Sequence, residues 1–314
     1  MPPTEPTHPT EPTHPINPTN PTNPASTRNL SGAGLTDAVL ASFAQCEEPR
    51  FTTITQSLVR HLHAFLAETQ LTEDEWTAAI AFLTRVGHIT TEQRQEFILL
   101  SDVLGASMQV IGTTYPCVAG ETESTVFGPF FVAESPRYAN GDDIAQGAPG
   151  EPCYLQGAVR SLAGQPIAGA RLEIWQADED GLYDVQYANL PAARGRGYLF
   201  ADDAGRYAFW TIRPAAYPIP SDGPVGDLLT AARRSPMRPA HVHFKITAAG
   251  YRPLITHVFA QGDPYLDTDA VFGVKSSLIT LFERHEPGVA PDGKRMETPF
   301  YTARYDFTLA QSEG

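Results

Sequence analysis

Cysteine is scarce: the 314-residue chain has three, Cys46, Cys117 and Cys153, set far apart. They build neither a disulfide framework nor a CxxC zinc pattern, so a reducing compartment is expected. Basic residues are also few, 22 Lys and Arg against 36 Asp and Glu, for a net charge of −14. With no basic stripe anywhere, such a surface repels phosphates and excludes nucleic acid as a partner. Long apolar runs are missing too. Nothing approaches the roughly 18 residues of a membrane span, and the N-terminus lacks the basic-then-apolar order of a secretory leader. A soluble, cytoplasmic protein of one or two structural units is the expectation.

What is present begins with proline. From Pro3 to Pro24 every third residue is proline, in a Thr-rich repeat with almost nothing apolar to bury. Residues 1–30 therefore read as a disordered or semi-extended tail. His8 and His14 in it lack the packed surroundings that a metal site needs. Residues 31–115 change to a helical texture, with apolar spacings of three and four in "FTTITQSLVRHLHAFLAETQ". Thr72 with Glu75, and Thr90 with Gln93, fit the capping box that starts a helix, and Gly87 between them reads as a helix stop.

Residues 116–314 turn to short β-rich runs separated by Gly and Pro. "CYLQGAVR", "ARLEIWQA", "RYAFWTIRP", "AHVHFKITA" and "PLITHVFA" have strand length and strand composition. Their number and spacing predict a fold that is mainly β with α: an antiparallel β-sandwich carrying the site, behind an N-terminal helical subdomain. The long "YPIPSDGPVGDLLTAARRSPM" joins two of these strands and is of the length that builds sites.

Two HxH pairs make a controlled comparison. In "HLH", His61 and His63 fall in a helix, where positions i and i+2 point about 200° apart and cannot meet on one ion. In "RPAHVHF", His241 and His243 fall in a strand, where i and i+2 share a face, and Val242 points into the opposite layer. No carboxylate follows within "HFKITAAG", which counts against a ferrous facial triad. A zinc hydrolase with His257 of "ITHVF" as third ligand stays open at this level. So does a binding module without metal.

Tyr183 in "EDGLYDVQ" and Tyr217 in "PAAYPIP" sit outside strand patterns. Each alone suits packing, as in the tyrosine corner of a sandwich. As phenolates they are hard anionic oxygen donors, and a trivalent cation can draw the proton from a group that titrates near 10. Two such tyrosines with two histidines suit ferric iron.

"FGPFF", "WQADEDGLYDVQ", "RGYLFADDAGRYAFWTIRPAAYPIPSDGPVGDLL", "RPAHVHF" and "GDPYLDTDAVFGV" occur in this order, and together they resemble the intradiol ring-cleaving dioxygenases over about Leu35 to Leu309. The resemblance implies one non-haem Fe(III) per chain on Tyr183, Tyr217, His241 and His243, with no NAD or flavin. It also implies that Tyr217 leaves the metal when an aromatic diol arrives with O2 and that Tyr183 stays. Arg238 becomes the positive group beside the bound ring; its bland alternative is a surface ion pair. A homodimer through the helical subdomain is implied as well, with a phospholipid at its interface.

Within the family, "EFILLSDVLG", "VFGPFF", "GLYDVQ" and "ITHVFA" resemble the hydroxyquinol-cleaving branch more than the catechol-cleaving one, whose members commonly carry glutamine where His257 stands; catechol or chlorocatechol cleavage is the alternative. His257 is then expected as a hydrogen-bond donor near the reacting oxygens. Asp102 is acidic in an otherwise apolar helix and is either a solvent-facing residue or the acceptor for the third hydroxyl of hydroxyquinol. Leu99, Val126, Phe127, Gly128, Pro129 and Phe272 are the expected pocket walls.

Overall fold

The computed structural model describes residues 27–91 and 94–312. The proline-rich repeat lies outside the described residues. Among the described residues five helices come first: α1 (Gly32–Ser42), α2 (Pro49–Thr69), α3 (Glu73–Ile89), α4 (Glu96–Val103) and α5 (Ala106–Thr114). Helix α2 starts where Glu48 accepts from the amides of Arg50 and Phe51, with Pro49 in the first turn, and ends at Gln70 in the left-handed conformation. The capping box at α3 is complete. Thr72 N donates to Glu75 Oε2 at 2.9 Å, and Glu75 N donates to Thr72 Oγ1 at 3.3 Å.

The second expected start differs. Gln93 lies outside the described residues, and α4 begins at Glu96 rather than just after Thr90. Gly87 is no stop either: α3 runs through it to Ile89, because one glycine costs a helix only about 1 kcal/mol.

The chain divides into two compact units, residues 1–78 and 79–314, and the division falls inside α3. Helices α4 and α5 therefore belong with the strands. Among the described residues no single helix is long and apolar enough to cross a membrane.

The strands run β1 (Pro152–Ser161), β2 (Arg171–Trp175), β3 (Arg196–Phe200), β4 (Arg206–Ile212) and the two-residue β5 (Tyr217–Pro218). After α6 (Pro224–Ala231) come β6 (Met237–Arg238), β7 (His241–Thr247), β8 (Leu254–Ala260), β9 (Ile279–Thr280) and β10 (Phe282–His285). The last are β11 (Gly288–Val289), β12 (Arg295–Met296), β13 (Phe300–Arg304) and β14 (Phe307–Leu309). One sheet has the order β10-β13-β1-β14 with β4 also on β1; the other runs β3-β2-β7-β8-β9.

The expected β-sandwich with N-terminal helices is present, with sheets that are mixed rather than strictly antiparallel. Strand β1 is parallel to β13 and β14, and β8 is parallel to β9, while the remaining pairs are antiparallel. Parallel neighbours require a long crossover, and the whole stretch from β2 to β12 separates β1 from its parallel partners.

The core lies between the two sheets. Leu155, Val159, Phe209 and Phe307 from one meet Leu172, Ile174, Val242, Phe244 and Val258 from the other. Strand β7 is buried on both faces. Its even-numbered residues Val242, Phe244 and Ile246 fill the core, which turns His241 and His243 to the outer face of the sheet.

Candidate metal centre

The outer face of β7 is covered by aromatic side chains, so the two histidines are buried there. Trp175 of β2 is the cross-strand partner of His243 and stacks on it, with ring centroids 4.7 Å apart. Phe130 stacks on Tyr183 at 4.5 Å. Tyr183 stands at the start of a short 3₁₀ turn, where its N donates to Gln186 Oε1 at 2.8 Å, and the next residue, Asp184, pairs with Arg196. Tyr217 enters from the opposite side on β5, pinned by its pairing with Arg238 on β6.

Four donor atoms close into a ring. Tyr183 Oη lies 2.9 Å from Tyr217 Oη and 2.9 Å from His243 Nε2. His243 Nε2 lies 3.2 Å from His241 Nε2, and that nitrogen lies 3.5 Å from Tyr217 Oη. Adjacent ligands at about 2.1 Å from a single ion are separated by roughly 3.0–3.4 Å, which is the scale of this ring.

The proton inventory fits a cation. His241 Nδ1 is 2.6 Å from Pro239 O, a contact that needs a proton on Nδ1 and so leaves Nε2 as a bare lone pair. Burial, then the charge of Arg238, holds the His241 imidazole neutral and well below its ordinary pKa; burial followed by His241 and Arg238 does the same to His243. Burial pushes both phenols upward, reinforced at Tyr183 by Tyr217 and opposed at Tyr217 by Arg238. A buried cation would offset that penalty and make both oxygens anionic.

The open zinc alternative is also present in space. Donor atoms of His241, His243 and His257 lie within 4.8 Å of one another. That set leaves both tyrosine oxygens unused. His257 faces His243 across β7 and β8, and its Nδ1 bonds Thr125 Oγ1.

Arg238 is no surface residue. It is 3 % exposed, its Nε donates to Asp269 Oδ1 at 3.1 Å, and its Nη1 lies 3.2 Å from His241 Nε2. Beside the ring opens a cavity of about 460 Å³ lined by Leu99, Pro129, Phe130, Tyr217 and Ile219, with Arg94, Glu96 and Asp222 at its edge. Tyr183 is fully sealed and does not border it.

The expected walls divide. Leu99 and Pro129 line the cavity. Val126 packs behind it with Leu99 and Ile219, and Phe127 packs edge-on against Trp175. Gly128 approaches His243 so closely that a Cβ there would be 3.1 Å from Cε1. Asp102 is buried, which removes the solvent-facing alternative; burial lifts its pKa to about 6 against an opposing hydrogen bond from Ser107 and the charge of Arg238.

Phe272 is not brought to this cavity. It is 53 % exposed at φ +59°, turned toward Arg234, while its neighbour Val271 joins Leu99 and Val126. Sequence reasoning missed Asp269, Thr125 and Trp175. Trp175 alone carried a signal, as an aromatic residue at the end of a strand.

Residues 126–311 match the family described as Dioxygenase, and residues 48–122 match the one described as Catechol dioxygenase N terminus. Among curated relatives, a hydroxyquinol 1,2-dioxygenase from Rhodococcus opacus is 54% identical over 89% of this chain and 94% of its own length. A solved hydroxyquinol 1,2-dioxygenase from Pseudomonas putida is 44% identical, covers 88% of this chain and 98% of its own, and superposes with a TM-score of 0.82. The solved catechol 1,2-dioxygenase from Pseudomonas arvilla C-1 is 28% identical with a TM-score of 0.78, over 90% and 93% of the two chains. The mixed sandwich, the buried tyrosines and histidines and these matches agree, and the chain belongs to the intradiol ring-cleaving dioxygenases.

Proposed function

We propose that this enzyme cleaves hydroxyquinol, benzene-1,2,4-triol, with O2 between its adjacent hydroxylated carbons, giving 3-hydroxy-cis,cis-muconate and hence maleylacetate. The observation that carries this reading is the closed ring of four donor atoms, one of whose residues, Tyr217, lines the neighbouring cavity. Tyr183, Tyr217, His241 and His243 would hold one ferric ion per chain, which supplies Lewis acidity and opens the electron path from a bound diol to dioxygen without NAD or flavin.

The protein's own groups have separable tasks. Tyr217 lines the cavity and Tyr183 does not, so Tyr217 is the phenol that can take a proton from an entering diol and turn aside, while sealed Tyr183 keeps its place. Arg238 holds a fixed positive charge where negative charge gathers on the substrate oxygens. Leu99, Pro129 and Ile219 exclude water from the ring faces. Asp102, buried nearby, accepts the hydrogen bond of the third hydroxyl. The higher identity to enzymes named for hydroxyquinol than to the one named for catechol supports this branch.

The decisive experiment is a visible spectrum with metal analysis, before and after anaerobic hydroxyquinol and, separately, catechol. A tyrosinate-to-iron band that shifts with the diol, and that Tyr183→Phe abolishes, is expected. Colourless protein holding stoichiometric zinc would reject the ferric site.

We place the enzyme in the cytoplasm as a homodimer. The exposed face of α2, with Phe51, Ile54, Leu58, Leu62 and Phe65, supports pairing between copies and a phospholipid held there. Sedimentation, with mass spectrometry of extracted lipid, tests both.

A further inference from the structure

Thr125 and His257 form a sealed pair beside the four-donor ring, 1 % and 0 % exposed. The bond between Thr125 Oγ1 and His257 Nδ1 is the only one that this hydroxyl makes among the described residues. If Oγ1 merely accepted, its own O–H would be a buried donor with no acceptor, a state that native proteins seldom carry. If Oγ1 donates, Nδ1 is the acceptor, and a neutral imidazole then keeps its single proton on Nε2. His257 Nε2 is itself buried with no hydrogen-bond partner among the described residues. The ring thus holds out one unpaired N–H, with its centroid 4.1 Å from that of His243 and 4.8 Å from that of His241.

We infer that Thr125 is a positioning residue that locks His257 in the Nε2–H tautomer, which bars His257 from the ligand set and makes it a hydrogen-bond donor to an anionic oxygen of the bound diol. A protonated ring nitrogen has no lone pair for a metal. The same threonine therefore separates two metal sites that share His241 and His243: a three-imidazole site suited to zinc and a two-phenol, two-imidazole site suited to a trivalent ion. The inference rests on the ferric reading proposed above for its second half, the donor role.

The test is nitrogen-15 NMR of histidine-labelled full-length chain, before and after loading with Ga(III), a diamagnetic ion of ferric charge and similar size. His257 signals are assigned by their loss in His257→Gln. A proton on Nε2 and a bare Nδ1 are expected in both states. In Thr125→Val the tautomer should mix or invert and zinc should bind roughly tenfold tighter, while Thr125→Ser restores the original pattern. A proton on Nδ1 of His257 in the unmodified chain would overturn the inference, and so would a Thr125→Val chain with unchanged tautomer and zinc affinity. Failure of the ferric reading looks different: the His241 and His243 nitrogens would ignore Ga(III), whatever proton His257 carries.

Discussion

Arg238 and Asp269 face each other with both side chains nearly sealed, 4 % and 2 % exposed, and Arg238 Nη1 reaches on to His241. Asp269 is in turn held by the amides of Val271 and Gly273. The guanidinium beside His241 is therefore aimed by a carboxylate 31 residues away in the chain.

Removing that carboxylate leaves a buried cation unpaired, at a cost of about 3–5 kcal/mol. Asp269→Ala should lower the thermal midpoint by on the order of 10 °C and reduce kcat/KM at least tenfold as Arg238 loses its aim. Calorimetry and steady-state kinetics check both. A chain that melts like the original would show that the pair contributes nothing.

Gly128 sits at φ +74°, and a Cβ there would press on His243 Cε1 at 3.1 Å. Gly128→Ala should cost about 1–2 kcal/mol of stability and displace the His243 ring. The expected result is a folded protein with weakened metal retention and a diminished tyrosinate band, read from metal content per chain. Full occupancy with an unaltered band would mean that the loop yields instead.

Asp102 gives a pH signature with a definite sign. Its folded pKa, about 6, lies above the ordinary 3.8 because burial disfavours the charge. The folded chain thus binds this proton more tightly than the unfolded one, so the contribution is full below about pH 4 and is lost as pH rises through about 6, by roughly 2–3 kcal/mol. Asp102→Asn should erase that fall. Urea unfolding at pH 4.5 and 7.5 should show the variant gaining on the original at the higher pH, and the preference for hydroxyquinol over catechol should drop about tenfold.

Arg94 at the cavity edge binds two carboxylates of opposite exposure. Glu96 is fully buried, accepting from Arg94 Nε at 3.1 Å and from Val225 N at 3.2 Å, where it caps α6. Asp222 is 74% exposed. Glu96→Ala should destabilise by about 2–4 kcal/mol and Asp222→Ala by less than about 1 kcal/mol. Equal losses in denaturant titrations would contradict the ranking by burial.

The centre was legible wherever one element carried the pattern. His241 and His243 stand out because a strand puts alternate residues on one face, and Tyr183 and Tyr217 because nothing local explains a tyrosine there. Thr125 and Asp269 were invisible: single polar residues in loops, meeting their partners across long separations, leave no periodic mark. Val271 and Phe272 were interchangeable in sequence, since an irregular segment has no fixed face, and a positive φ at Phe272 decides which one turns inward. Strand direction was equally hidden, because period-two alternation is the same in parallel and antiparallel neighbours.

The parallel seating of β1 against β13 and β14 also sets an order of events. During synthesis β1 emerges early and finds β4 some fifty residues later, but its other edge waits for residues 300–309. Until then a ten-residue strand presents bare amides and carbonyls to its surroundings. The sheet bearing His241 and His243 is complete by β9, before that edge is covered. The nascent chain can thus assemble its histidine-bearing layer while the opposite layer is still an open template, and slow synthesis near the C-terminus would lengthen the interval in which two such chains can join edge to edge.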